Sequence, residues 1–162
     1  GCAQVLIGLE STDPNTLNGL EQKRNWKYRQ LEHYQASIEA IQSHGITVNG
    51  CFILGLDGQD ASVFDAVFEY VKSCRLYEVQ ITLLTAFPGT PLYERLSKEG
   101  RLIEPRNWKK CTLFDVNFTP SHMTVDELER GFMDLGQRLY NSEFTDWRRR
   151  QFFEMRKTRT NS

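Results

Sequence analysis

Several things are scarce or missing in this 162-residue sequence, and each absence removes a class of function. There is no apolar run of about 18 residues, so no membrane-spanning helix is expected, and the pattern of a secretory signal peptide is absent too. Cysteine is sparse: Cys2, Cys51, Cys74 and Cys111 are scattered, and no pair has the CxxC spacing of a metal knuckle. A chain of this size needs no disulfide framework, so reduced, mostly buried thiols in a cytoplasmic protein are the expectation. The three histidines, His33, His44 and His122, are dispersed. No His–Cys–Asp metal cluster and no Ser–His–Asp or Cys–His nucleophile set can be assembled from what remains. Neither GxGxxG nor a Walker loop occurs, which removes the common phosphate cradles. Charge of one sign is also lacking overall: 20 basic residues face 21 acidic ones, for a net charge of −1. The chain as a whole is therefore not a polyanion binder.

What is present fits one domain with a sizeable core, with 40% apolar and 25% charged residues. Three apolar stretches read as buried strands, at 3–9, 46–56 and 79–84. Between them lie helical patterns. Thr12-Asp13-Pro14 suits a helix start, and a polar stretch at Asn18-Gly19 keeps that helix short. A longer helix is expected over 26–44, with Leu31, Tyr34, Ile38 and Ile41 on one stripe and Gly45 as the stop. Asp60 can cap the next, whose buried side is Val63, Phe64, Val67, Phe68 and Val71. After the third strand, Phe87-Pro88-Gly89-Thr90-Pro91 makes a rigid turn into a short helix over 92–98. The order β-α-β-α-β-α predicts parallel strands joined by right-handed crossovers.

The remainder forms another layer. Trp108, Leu113, Phe114, Val116 and Phe118 mark an irregular or short-strand segment. Thr124 and Glu127 have capping-box spacing and open a helix with Leu128, Phe132, Leu135 and Leu139 on one face. A last helix over 144–159 carries Trp147, Phe152, Phe153 and Met155. The charge is uneven here: from Arg148 onward there are six basic residues and one acid, so the tail is +5 and the rest −6. The expected division is a β/α unit at 1–103 and an extension at 104–162.

Strand ends in α/β folds collect ligand-binding residues, because adjacent loops diverge there. Glu10 and Ser11 sit at the first such end, where the carboxylate can accept from an ammonium or a ribose hydroxyl; Ser11 and Thr12 serve equally as helix caps. At the second end, Gly55 and Gly58 bracket Leu56 and Asp57, and let the backbone approach a planar ligand or simply turn. On the third strand, Gln80 and Thr82 share a face, which suggests a barrel interior or a wetted sheet face. Phe87 before Pro88-Gly89 can stack on a flat ring or pack under its turn. The aromatic and arginine-rich tail (Arg148, Arg149 and Arg150 among Trp147, Phe152 and Phe153) fits either a docked amphipathic helix or contact with nucleic acid, the second being a binding-module reading of the whole chain.

Three motifs stand in order: Gly8-Leu9-Glu10-Ser11, Phe52-Ile53-Leu54-Gly55-Leu56-Asp57-Gly58 and Phe87-Pro88-Gly89-Thr90-Pro91-Leu92-Tyr93. Gly100-Arg101-Leu102, Trp108, Phe118-Thr119-Pro120 and Met123-Thr124 follow. With this set, over about residues 1–142, the chain resembles the C-terminal half of a radical S-adenosylmethionine enzyme barrel, in the cobalamin-binding branch. The resemblance implies a partial TIM-like barrel of parallel strands plus C-terminal helices, with this chain supplying the fourth to sixth strands. Glu10 and Ser11 would then face the ribose and methionine of S-adenosylmethionine. Ile53, Gly55 and Leu56 would lie on the adenine side, with Gln80 and Thr82 in the same cleft, and Phe87, Pro88 and Gly89 would close the adenine pocket. The family pattern has an acid three residues after the strand glycine; Gly58 stands there, and Asp57 is the acid beside it.

The family's 4Fe-4S cluster needs CxxxCxxC, which this sequence does not contain, and a cobalamin-binding domain is missing as well. The resemblance therefore makes the chain, which enters a strand at once without an initiating Met, a portion inactive by itself. Its partner would be the N-terminal half of the barrel. Half a barrel is expected to expose strand edges at its first and third strands, which favours self-association.

Overall fold

In the computed structural model, residues 1–17 and 26–160 are described. Three strands, β1 (Gln4–Glu10), β2 (Thr47–Leu54) and β3 (Glu78–Leu83), form one parallel sheet in that order. The helices are α1 (Pro14–Leu17), α2 (Trp26–Ser43), α3 (Val63–Ser73), α4 (Pro91–Lys98), α5 (Val125–Tyr140) and α6 (Ser142–Thr160). This is the α/β alternation expected, consistent with part of a barrel. Asn18-Gly19 lies outside the described residues. No helix among those described is long and apolar enough to cross a membrane.

Local chemistry sets the element ends. Asp13 caps α1, its carboxylate accepting from the N–H and the hydroxyl of Thr16, with Pro14 at the first helical position. Thr90 caps α4 by accepting from Tyr93 N–H at 3.2 Å, and its hydroxyl donates to Phe87 O at 2.7 Å. The capping box of Thr124 and Glu127 is formed in both directions. Asp60 turns the chain ahead of α3 by accepting from Ser62 N–H, and the helix itself begins three residues later than Asp60. β2 stops at Leu54, shorter than the apolar run, because Gly55 turns at φ +90°.

The core lies on one face of the sheet. Val48, Phe52 and Leu54 of β2 and Val79, Ile81 and Leu83 of β3 bury there, against Tyr34 and Ile38 of α2 and Val67 and Val71 of α3. The extension joins this core: Leu128, Leu135 and Leu139 of α5 are fully buried in it. Gly131 lets α5 close on α3, since a Cβ there would fall 2.0 Å from the Phe64 ring. The opposite sheet face carries Leu6, Cys51, Ile53, Gln80 and Thr82, which are half-buried or exposed.

The third strand does not present the open edge expected of a half barrel. Arg148 donates to Tyr77 O at 2.9 Å, and the Tyr140 hydroxyl donates to Val79 O at 3.2 Å while accepting Ile81 N–H at 3.3 Å. Leu83 N–H donates to Leu113 O at 2.8 Å. One edge backbone group after another is met by the extension instead of by a strand, which satisfies polar groups that would otherwise be buried alone. Among the described residues β1 pairs with β2 only.

Candidate functional site

All three strands point the same way, so their C-terminal ends lie at one end of the sheet. At the end of β1 the register slips between Gly8 and Glu10, and Glu10 adopts φ +65°, a left-handed conformation that a glutamate holds only at a cost. Leu9 is buried in the core, and the half-buried Glu10 that follows it lies near the open face, close to Cys51. There its charge, behind burial as the larger cause, raises the pKa of the Cys51 thiol. Cys51 in turn lies beside Gln80, with Sγ 3.8 Å from Oε1. Ile53 and Thr82 are register partners one step nearer the strand ends. Ile53, Gln80 and Thr82 thus share one face, as the alternation of β3 predicted for its two members, and Glu10 lies near it beside Cys51. Phe87 stands 37% exposed after β3, at the head of the Pro88-Gly89 turn.

The other expected residues are built into a frame. Ser11 is 1% exposed; its hydroxyl accepts from Asp13 N–H at 3.1 Å and faces Gln59 Nε2 at 3.5 Å. Gln59, which sequence reading passed over, is the centre of that frame. Its Oε1 accepts both Gly55 N–H at 2.8 Å and Leu56 N–H at 3.0 Å, and its Nε2 donates to Ile53 O at 3.2 Å. The N–H groups of Gly55 and Leu56 are therefore committed to the protein. Gly55 has a second constraint: a Cβ would sit 2.9 Å from Leu128 and 3.3 Å from Phe118. A glutamine in a polar turn carries no sequence mark of burial, which is why it was missed.

Asp57 is held outward. Its carboxylate accepts from Arg95 at 2.6 Å, Arg101 at 2.9 Å and Ser121 at 3.3 Å, and Glu99 pairs with the same two arginines. Partial burial pushes its pKa up, but the hydrogen bonds from Arg101 and Arg95 outweigh this and hold it below the ordinary carboxylate range. Asp57 thereby ties the loop after β2 to α4 and to the segment at 119–121. Asn117 does the same for the end of β3: its side-chain oxygen accepts Ala86 N–H at 3.0 Å and its nitrogen donates to Ala86 O at 3.1 Å.

The cysteines do not fit an iron–sulfur cluster. Cys2 is exposed, Cys74 buried, Cys51 and Cys111 half-buried, all free, and no three His, Cys, Asp or Glu side chains meet in a metal-holding group among the described residues. The basic tail is not a uniformly solvated face either. Arg148 is 1% exposed and donates to Tyr77 O, Leu139 O and the Thr145 hydroxyl. Phe152 is buried against Tyr77 and Trp147 stacks on Phe144, so these aromatics dock, while Arg149, Arg150 and Phe153 are exposed.

Fold and strand ends together define a class: the chain resembles the C-terminal part of a radical S-adenosylmethionine barrel of the cobalamin-binding branch. Comparison with known proteins agrees. A family model described as a domain of unknown function (DUF4070) matches residues 90–162. The bacteriochlorophyllide d C-12(1)-methyltransferase of Chlorobaculum tepidum is 29% identical over 86% of this chain and 29% of its own length. The hopanoid C-2 methylase of Rhodopseudomonas palustris is 30% identical over 86% of this chain and 24% of its own length. An uncharacterized methyltransferase of Pyrococcus horikoshii is 26% identical over 80% of this chain and 27% of its length. The chain thus spans between about a quarter and a third of the length of the curated relatives it matches.

Proposed function

We propose that this chain is the cofactor-facing half of a radical S-adenosylmethionine methyltransferase whose substrate is a rigid polycyclic molecule. The observation that supports the reading is the sharing of one open sheet face by Ile53, Gln80 and Thr82, with Glu10 close to it at the end of the neighbouring parallel strand. The substrate class is taken from the names of two relatives, which denote a tetrapyrrole and a polycyclic lipid.

The residues present suit S-adenosylmethionine in a divided way. The strained carboxylate of Glu10 can accept from the ribose hydroxyls or the ammonium of the methionine part. Ile53 and Thr82 offer a flat, mostly apolar wall, and Phe87 a ring face at its rim. Ser11, Gly55, Leu56, Asp57, Pro88 and Gly89 act behind them, fixing the strand ends in place through Gln59, Arg95, Arg101 and Thr90. When bound beside a 4Fe-4S cluster, S-adenosylmethionine supplies reductive cleavage and a methyl group; no residue of this chain holds that cluster. Its ligands belong to the N-terminal half of the barrel, cobalamin to a further domain, and the chain by itself is inactive.

Calorimetric titration of the 162-residue chain with S-adenosylmethionine tests the cofactor site. Half of a pocket is expected to bind on the order of 1 mM, about −4 kcal/mol, and Glu10→Gln is expected to weaken it by about tenfold, the loss of one charge-assisted hydrogen bond. Binding unchanged by Glu10→Gln, or none up to about 10 mM, removes the reading.

A further inference from the structure

The chain turns through a left-handed residue at the end of β1, again after β2 and again after β3. After β2 that residue is Gly55 at φ +90°, and after β3 it is Gly89 at φ +76°. Glycine adopts such angles freely. At the end of β1 the residue is Glu10, at φ +65°. Its Cβ crowds the following carbonyl, and it lacks the short side chain that lets asparagine or aspartate tolerate the position. Across Glu10, Ser11 N–H donates to Leu9 O at 2.9 Å and closes a three-residue turn. With a positive φ at its centre, this is the rarer and more strained hand of that turn. The chain thus places a carboxylate where a glycine would sit at lower cost.

Strain of this kind persists only where the surroundings over-determine it. Both neighbours of Glu10 are fixed: Leu9 and Ser11 are each 1% exposed. The Ser11 hydroxyl accepts Asp13 N–H at 3.1 Å, just ahead of α1. Gln59 Nε2 stands 3.5 Å from the same hydroxyl, at the outer limit of a hydrogen bond. Gln59 is itself anchored, since it is buried and holds Gly55 N–H, Leu56 N–H and Ile53 O. The strained turn is therefore wedged between the buried end of β1 and the loop after β2. We propose that Ser11 and Gln59 are positioning residues: by holding Glu10 in its strained turn, they fix its carboxylate for the ribose hydroxyls or the ammonium of S-adenosylmethionine before the cofactor arrives. The inference rests on the proposed function for its ligand, while the lock on Glu10 stands apart from it.

The lock is tested without any ligand. Urea unfolding of the 162-residue chain compares Glu10→Gly with Glu10→Ala, which lack the same carboxylate and differ only in the Cβ. At an ordinary strand position alanine is the more stable of the two. Here Glu10→Gly is expected to unfold at a midpoint about 0.5 M higher than Glu10→Ala. The same pair is then made in Ser11→Ala and in Gln59→Met. Release of the turn is expected to abolish most of the glycine advantage, whereas a merely structural loss lowers both midpoints and leaves their difference intact. Ser11→Ala, the milder truncation, carries the comparison where Gln59→Met folds poorly. Calorimetry with S-adenosylmethionine supplies the second readout. Affinity is expected to fall about fivefold in Ser11→Ala or Gln59→Met, through lost preorganisation, and to fall no further when either is added to Glu10→Gln. Glu10→Gly no more stable than Glu10→Ala, or a glycine advantage that survives both substitutions, overturns the inference. So does binding of S-adenosylmethionine that weakens with Glu10→Gln but not with Ser11→Ala or Gln59→Met. A glycine advantage that behaves as expected while S-adenosylmethionine fails to bind upholds the lock on Glu10 and removes the cofactor reading.

Discussion

Replacing Arg148 by alanine should be the most damaging single change in the basic tail. The residue is 1% exposed and among the described residues has no carboxylate in salt-bridge contact; burial lowers its pKa, opposed by the charges of Glu78 and Tyr140. It holds two backbone carbonyls, Tyr77 O at 2.9 Å and Leu139 O at 3.1 Å, which join α5 and α6 to the start of β3. Hydrogen bonds to a charged donor contribute about 1.5–3 kcal/mol each, and a buried carbonyl left alone costs about 1–3 kcal/mol. Against this, deletion relieves the cost of burying the charge, and one guanidinium nitrogen, Nε, has no protein partner to lose. The net expectation for Arg148→Ala is a loss of about 3 kcal/mol. Urea unfolding followed by circular dichroism reads this as a midpoint lower by about 1.5 M at a slope near 2 kcal/mol/M. Arg150→Ala, on the exposed side of α6, should stay within about 0.5 kcal/mol of wild type. An Arg148 variant as stable as the Arg150 variant would refute the reasoning. It would also restore the tail as one uniform basic surface.

Tyr140→Phe removes the hydroxyl that bridges Val79 O and Ile81 N–H, so stability should fall by about 1–2 kcal/mol. Amide exchange at Ile81 should quicken more than at Val48 in β2, and equal change at both would count against edge capping. Asp57 has a folded pKa depressed by its arginines, so its contribution is present above the unfolded value of about 3.9 and lost as pH falls through the folded value. Being more than a third exposed, it contributes about 1 kcal/mol or less. Asp57→Asn should flatten the acid limb of the stability curve below about pH 4 and leave pH 7 little altered; an unchanged acid limb would be the contrary result.

Much of the fold was legible in the residues. Alternation of apolar runs with helical stripes predicted three parallel strands, and the caps at Asp13 and Thr124 were readable because capping depends on neighbours within three residues. The shared face of Gln80 and Thr82 followed from the strand period of two. The site was legible only as strand ends. Glu10, Ile53, Gln80, Thr82 and Phe87 lie about the open face and its rim, whereas Ser11, Gly55 and Leu56 are enclosed and Asp57 is clamped from outside.

What the sequence by itself determined, then, is whatever depends on local spacing: strand and helix order, caps, and the face each strand residue takes. Only the tertiary structure decided the roles of Gln59, Arg148, Tyr140 and Asn117. Each is a polar side chain that meets backbone groups left without a strand or helix partner: Arg148 and Tyr140 reach 61 to 71 residues back along the chain, Asn117 reaches 31, and Gln59 closes a loop around its own turn. Their burial depends on which strand edge or loop lies opposite after folding, and no periodicity along the chain records that.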